Sequence, residues 1–175
     1  MQSYYSNGIV TIISDTRIIM KTGYLRQIRN FYRIDKNIAT AGQPTIEEFT
    51  IIKQNNHDLI INLATKDSPD AISNEGSIVT GLGLDYIHIP VDFRAPAISD
   101  LQQFFEVMEL NRNKHIFVHC ALNWRVASFM FLYRTVKCNL PVATAKQDLH
   151  AVWRPDNVWQ SFIDMALTHY NVTKG

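Results

Sequence analysis

The sequence predicts a three-layer α/β domain: a mostly parallel sheet of four to five strands, flanked by helices. Two observations carry this. Short apolar runs of strand length alternate with longer amphipathic segments, and neither class contains a run near the 18 or so apolar residues of a membrane span. The chain has 175 residues, of which 46% are hydrophobic and 19% charged, enough for one ordinary globular core.

The elements follow in order. Residues 1–30 do not fit the alternation and read as an N-terminal extension, with residues 31–175 as the domain. "FYRIDKNIATAGQP" reads as a strand or hairpin ending in a turn at Gly42–Pro44. Thr45 and Glu48 form a T-x-x-E capping box for a helix through about Asn55. "DLIINLA", Asp58–Ala64, is an Ile-rich run suited to a buried parallel strand. The loop "TKDSPDAISNEG" follows, with a helix over 74–82. "YIHIPV", Tyr86–Val91, is the next strand.

Ser99 and Gln102 suggest a second capping box, opening a helix whose inner side carries Leu101, Phe104, Phe105 and Met108. "HIFVH", His115–His119, is the strand before Cys120. "RVASFMFLYRTVKC" is apolar nearly all round, as in a buried helix. Pro141 and Pro155 suit the first turns of two further helices.

Net charge is +1, from 17 basic and 16 acidic residues. That balance gives no reason to expect a nucleic-acid or acidic-membrane partner, so any anion preference is local. Two cysteines, Cys120 and Cys138, make no disulfide framework and point to a reducing compartment. The apolar run at Ile9–Ile13 is followed at once by Ser14, Asp15 and Arg17, which is poor signal-peptide chemistry. The expectation is a cytoplasmic protein. His115 and His119 lie on a strand with no third ligand in view, so no metal is expected, and no cofactor motif is present. His88 alternates with apolar neighbours and reads as a satisfied strand histidine.

The segment that carries chemistry is "HCALNWRV". In open α/β sheets ligands bind beyond the carboxyl ends of the strands, and Cys120 sits at such an end. The N–H groups of the loop, together with the N-terminus of the following helix, favour an anion there. The same field favours Cys120 as the nucleophilic thiolate. Arg125 can bind two oxygens of a phosphate-like group with its planar fork. Asn123 can brace the loop through its amide, and Trp124 can form a pocket wall. The competing reading makes Cys120 a buried core thiol, with Arg125 snorkelling from a helix start.

With "ATAGQPTIEEF" upstream and "YIHIPVDFRAPAISDLQQFF" between, this loop resembles a bacterial branch of the protein tyrosine and dual-specificity phosphatase superfamily, over about residues 31–168. The resemblance implies that Cys120 attacks phosphorus and that Arg125 and the N–H groups of Ala121, Leu122, Asn123, Trp124 and Arg125 bind the equatorial oxygens. It implies that His119 orients or stabilises the thiolate, and that a separate Asp protonates the leaving oxygen and then activates water. Asp92 in "IPVDFRAP" is the first candidate, against a merely solvated carboxylate. Asp67 and Asp70 are alternatives. Asp156 reads as helix-start chemistry. Gln43 is either a substrate contact or turn chemistry. A phosphorylated small molecule or protein is the implied partner.

Two features depart from the superfamily pattern. Four residues rather than five separate Cys120 from Arg125, and Val126 stands where a hydroxyl usually follows the Arg. The short loop leaves two further readings: a phosphate-binding pseudophosphatase of weak activity, and a sulfurtransferase similar to rhodanese. Cys138 lies ~20 Å along a mainly helical segment from Cys120, too far to resolve it as a disulfide.

Overall fold

The computed structural model describes residues 25–172. Five strands form one sheet in the order β1-β2-β5-β3-β4. They are β1 (Tyr32–Arg33), β2 (Ile38–Ala41), β3 (Leu59–Asn62), β4 (Asp85–His88) and β5 (Ile116–His119). Only the β1–β2 pair is antiparallel; all other pairings are parallel. The hairpin joining β1 to β2 is set by Asp35, whose Oδ1 accepts the N–H groups of Asn37 and Ile38 at 2.7 and 2.8 Å.

Two helices, α1 (Ile46–Gln54) and α2 (Glu75–Gly81), cover one face. They pack Phe49, Ile52 and Val79 onto Ala39, Ile60 and Phe117. The helices α3 (Ile98–Leu110), α4 (Trp124–Val136), α5 (Val142–Val152) and α6 (Asn157–His169) build the larger core on the other face. Period-2 alternation along the strands divides the layers: Phe117 faces α1 and α2, while Ile116 and Val118 face α4. Every residue from Arg125 to Tyr133 is buried, as its all-round apolar sequence requires.

The α1 capping box is complete in both halves. The Ser99–Gln102 box is not formed. The switch from extended to helical backbone falls at Ala97, so Ser99 is already inside the first turn of α3. Pro141 occupies the cap position before α5 rather than its first turn. Asp156, not Pro155, starts α6: its Oδ1 accepts the Trp159 N–H at 3.0 Å.

The division at residue 30 does not match the packing. Leu25 and Ile28 are buried in the α1–α2 core, and the Arg29 carbonyl accepts the Gly42 N–H at 2.7 Å. The remainder of the expected extension, 1–24, lies outside the described residues. Among the described residues, no helix is long and apolar enough to cross a membrane.

Candidate active site

At the carboxyl edge of the sheet, Ala41, His119, Asn62 and His88 stand in register across four strands. The central strand, β5, delivers Cys120 to this edge, and the loop of residues 121–123 connects it to α4. Asn123 makes the turn. It adopts a left-handed conformation, φ 66°, which Asn tolerates better than most residues. Its buried amide donates to the Asn30 carbonyl at 2.7 Å and to Thr40 Oγ1 at 3.0 Å, the bracing role its sequence position suggests.

The loop directs its carbonyls outward. Ala121 O accepts the Gln43 N–H at 3.1 Å, Leu122 O accepts Asn30 Nδ2 at 3.0 Å, and Asn123 O accepts the Ala127 N–H at 2.9 Å. The N–H groups of Ala121, Leu122, Trp124 and Arg125 have no partner among the described residues. A run of unpaired N–H groups at a helix start is an anion-binding concavity.

Cys120, directly before this run of N–H groups in sequence, packs in the core on the α4 side and is 1% exposed. Arg125, in the first turn of α4, is 7% exposed. Its Nε donates to the Val91 carbonyl at 2.9 Å and its Nη2 to Ser68 Oγ at 3.3 Å, with the guanidinium 5.3 Å from the Phe93 ring. Ser68 Oγ also accepts the Thr65 N–H at 3.0 Å, so its own proton is directed to Thr65 Oγ1 at 3.0 Å. Thus two loops, one after β3 and one after β4, hold the arginine.

The loop after β4 carries Asp92. Trp159 anchors it by donating from Nε1 to the Phe93 carbonyl at 3.0 Å. Phe93 packs on Trp124, Trp153 and Trp159, and Trp124 stacks parallel to Trp153 at 5.0 Å. Trp124 therefore forms a wall beside the loop. Asp92 is exposed, next in sequence to the carbonyl that holds Arg125, and its Oδ1 accepts the Arg94 N–H at 2.8 Å. Asp67 is exposed beside Ser68. Asp70 pairs with Arg29 at 2.9 Å, and Asp156 is occupied as a helix cap.

His119 turns away from Cys120, as successive strand residues must. Its Nε2 lies 3.0 Å from Glu75 Oε1, its ring meets Phe49 edge-on, and its Nδ1 is buried without a partner among the described residues. Gln43 likewise turns inward: its Nε2 donates to Glu75 Oε2 at 2.5 Å and to the Pro44 carbonyl at 3.3 Å, and its side chain is buried. His88 is satisfied, donating to the Ala64 carbonyl at 2.7 Å.

Glu75 is the largest feature that sequence reading missed. Buried at 3% exposure, it accepts from Gln43, Asn62, Tyr86 and His119. Burial pushes its carboxyl up, but the hydrogen bond and electrostatics from His119, then the hydrogen bonds from Gln43 and Tyr86, outweigh this and hold it below the usual carboxylate range. Burial, then the Glu75 charge, pushes the Tyr86 phenol up, so it stays a donor. A cavity of about 410 Å³ opens beside Glu75 and Tyr86, rimmed by Lys66 and His88. Among the described residues, no group of His, Cys, Asp or Glu could hold a metal ion.

A cysteine at the carboxyl end of a central parallel strand, an arginine in the first turn of the next helix and a nest of free N–H groups between them define a protein of the tyrosine and dual-specificity phosphatase superfamily. More narrowly, the chain belongs to the family described as DSP-PTPase phosphatase fused to NAD+ kinase, whose model matches residues 29–162. It is 30% identical to a Shewanella putrefaciens CN-32 protein described as "Putative phosphatase (DUF442)", with a TM-score of 0.76 over 85% of this chain and 97% of that one. PTPMT1, solved with PI(5)P, is 13% identical with a TM-score of 0.68, over 81% of this chain and 96% of that one. The catalytic core of the PP-IP phosphatase SIW14 of S. cerevisiae is 17% identical with a TM-score of 0.64, over 79% and 85%. These last two likenesses concern the fold alone. No curated protein matches the chain.

Proposed function

We propose that this domain hydrolyses phosphomonoesters through a phosphocysteine. The observation that carries the reading is the orientation of the loop: its carbonyls are bonded, while four of its N–H groups have no partner among the described residues. That arrangement suits the equatorial oxygens of a phosphoryl group in transit.

In the first step Cys120 Sγ forms a bond to phosphorus and the P–O bond to the leaving group breaks. The leaving oxygen takes a proton from Asp92. In the second step water attacks the phosphocysteine, Asp92 takes a proton from it, and phosphate leaves with Cys120 restored as thiolate. Asp92 is supported by its exposure and by its place next to Val91, the residue that fixes Arg125. Asp67 has the same relation to Ser68 and is the alternative acid.

Arg125 Nη1, with no partner among the described residues, supplies the remaining donor toward the phosphoryl oxygens. The prior engagement of Nε and Nη2 favours a second reading, in which the loop binds phosphate without turnover. Val126 is buried and offers no hydroxyl, and Ser128 Oγ is spent on the Trp124 carbonyl at 3.1 Å. The family and the fold lend no support to the sulfurtransferase alternative.

Hydrolysis of p-nitrophenyl phosphate by the wild type and by C120S, R125A, D92N and D67N tests the proposal, with thiosulfate as a parallel substrate. The expected result is phosphatase turnover abolished in C120S and R125A, with D92N reduced more than D67N. Turnover that survives in C120S sinks the phosphocysteine. No turnover, with phosphate binding lost in R125A, establishes the binding module instead.

A further inference from the structure

We infer that Glu75 is the positioning residue of the nucleophile loop, a role that rests on the phosphocysteine reading above. The carboxylate stands at the start of α2 and receives four side-chain donors: Asn62 and His119 end β3 and β5, Gln43 follows β2, and Tyr86 lies within β4. Three of these donors, from Asn62, Tyr86 and His119, converge on Oε1, and Gln43 donates to Oε2, so both oxygens are engaged by the protein itself. Three of its four donors also hold part of the cradle.

The first thread is His119, fixed at 3.0 Å and directly preceding Cys120. The second is Gln43, whose side chain reaches Glu75 at 2.5 Å while its N–H holds the Ala121 carbonyl at 3.1 Å. The third is Asn62. Its Nδ2 donates to Glu75 at 2.7 Å, and its Oδ1 accepts the Ala64 N–H at 2.7 Å. Ala64 heads the loop that carries Ser68 to Arg125. One buried carboxylate therefore sets the residue before the nucleophile, the loop carbonyl after it, and the segment that holds the arginine. The fourth donor, Tyr86, closes the set and also accepts from Asn62 at 3.1 Å.

Glu75→Gln keeps the size but removes the charge and turns one of the two acceptor oxygens into an NH2, which then faces a group that is itself a donor. The three threads slacken together. A displaced cradle fails in the transition state more than in the ground state, so kcat falls while KM holds. The expected loss in kcat is about 10- to 100-fold. Vanadate, a mimic of the transition state, weakens by the same factor, whereas phosphate affinity changes much less. Both oxyanions are read by the intrinsic tryptophan fluorescence, since Trp124, stacked on Trp153, follows the loop directly. Ile163→Val, a core change in α6 away from the network, controls for lost stability, with every assay run well below each variant's Tm.

Folded E75Q with wild-type kcat and wild-type vanadate affinity overturns the inference, as does an equal loss of kcat in I163V. Should E75Q not fold, Gln43→Leu cuts the second thread alone. It is expected to lower kcat without raising KM. A rise in KM alone would make Gln43 a substrate contact and overturn the assignment. If the wild type turns over no aryl phosphate, the hydrolytic reading fails, and the vanadate and phosphate titrations still decide what Glu75 does.

Discussion

Gly42 lies where the loop after β2 approaches the Cys120–Arg125 loop, and adding one methyl group there tests how tightly that loop is held. A Cβ at this position would sit 2.8 Å from the Ala121 carbonyl oxygen, 3.1 Å from the Arg29 carbonyl oxygen and 3.2 Å from Arg29 Cγ. Ordinary contact begins at 3.4 Å, so the Ala121 carbonyl must retreat by about 0.6 Å. The two nearest obstacles are main-chain atoms, so no side-chain rotation relieves them. Arg29 cannot simply withdraw either, because its carbonyl accepts the Gly42 N–H itself at 2.7 Å.

The strain therefore passes into the hydrogen bond from Gln43 N–H to Ala121 O, and through it into the free N–H groups beside Cys120. Overpacking of this kind costs about 1–3 kcal/mol. A misplacement of this order in a catalytic loop costs up to about 100-fold in rate. Thermal or urea unfolding of G42A gives the first number, and steady-state turnover of p-nitrophenyl phosphate the second. G42A with wild-type stability and wild-type kcat would refute both the close approach and the claim that the loop's position limits turnover.

Two further predictions concern the frame around the site. Burial lowers His57 from 6.5 to about 4, with its Nδ1–H given to the Ile52 carbonyl at 3.2 Å and its ring edge-on to Phe117. Between these values the unfolded chain binds a proton that the folded chain refuses. Stability is therefore fully present above about pH 6.5 and falls toward pH 4, by about 3 kcal/mol in all. Urea titrations at pH 7 and pH 5 should show this slope in the wild type and its loss in H57Q; equal slopes would exclude His57 as its source. Gly81, at the end of α2, has open space where a side chain would begin, with no atom of the described residues within 4 Å of an added Cβ, and no positive φ. G81A should raise stability by about 0.4–1 kcal/mol, seen as a higher urea midpoint at unchanged m-value, and a lowered midpoint would contradict the open space.

The features legible in the sequence are those whose causes lie close together along the chain. The Thr45–Glu48 capping box needs only a short stretch of backbone and two side chains, and it forms as its pattern implies. The Cys120–Arg125 loop, the brace from Asn123 and the burial of α4 all follow from a strand running directly into an apolar helix. The Ser99–Gln102 pattern shows the limit of local reading. The same kinds of residue stand at the same spacing, but the helix starts at Ala97, before Ser99 can serve as its cap.

The sequence by itself determined the alternation of strands and helices, the mostly parallel sheet, and the place of the Cys120–Arg125 loop between a strand and an apolar helix, because periodicity and chain order specify them. Only the tertiary structure decided what holds that loop. Glu75 meets His119 from 44 residues away, Arg125 reaches Ser68 across 57, and Asn30 ties down Leu122 across 92. No periodic pattern marks such partners. Nothing in "SNEGS" marks its glutamate, and only the parallel register brings Asn62, His119, Gln43 and Tyr86 from four strands or their flanks to one buried carboxylate, which must be met by donors.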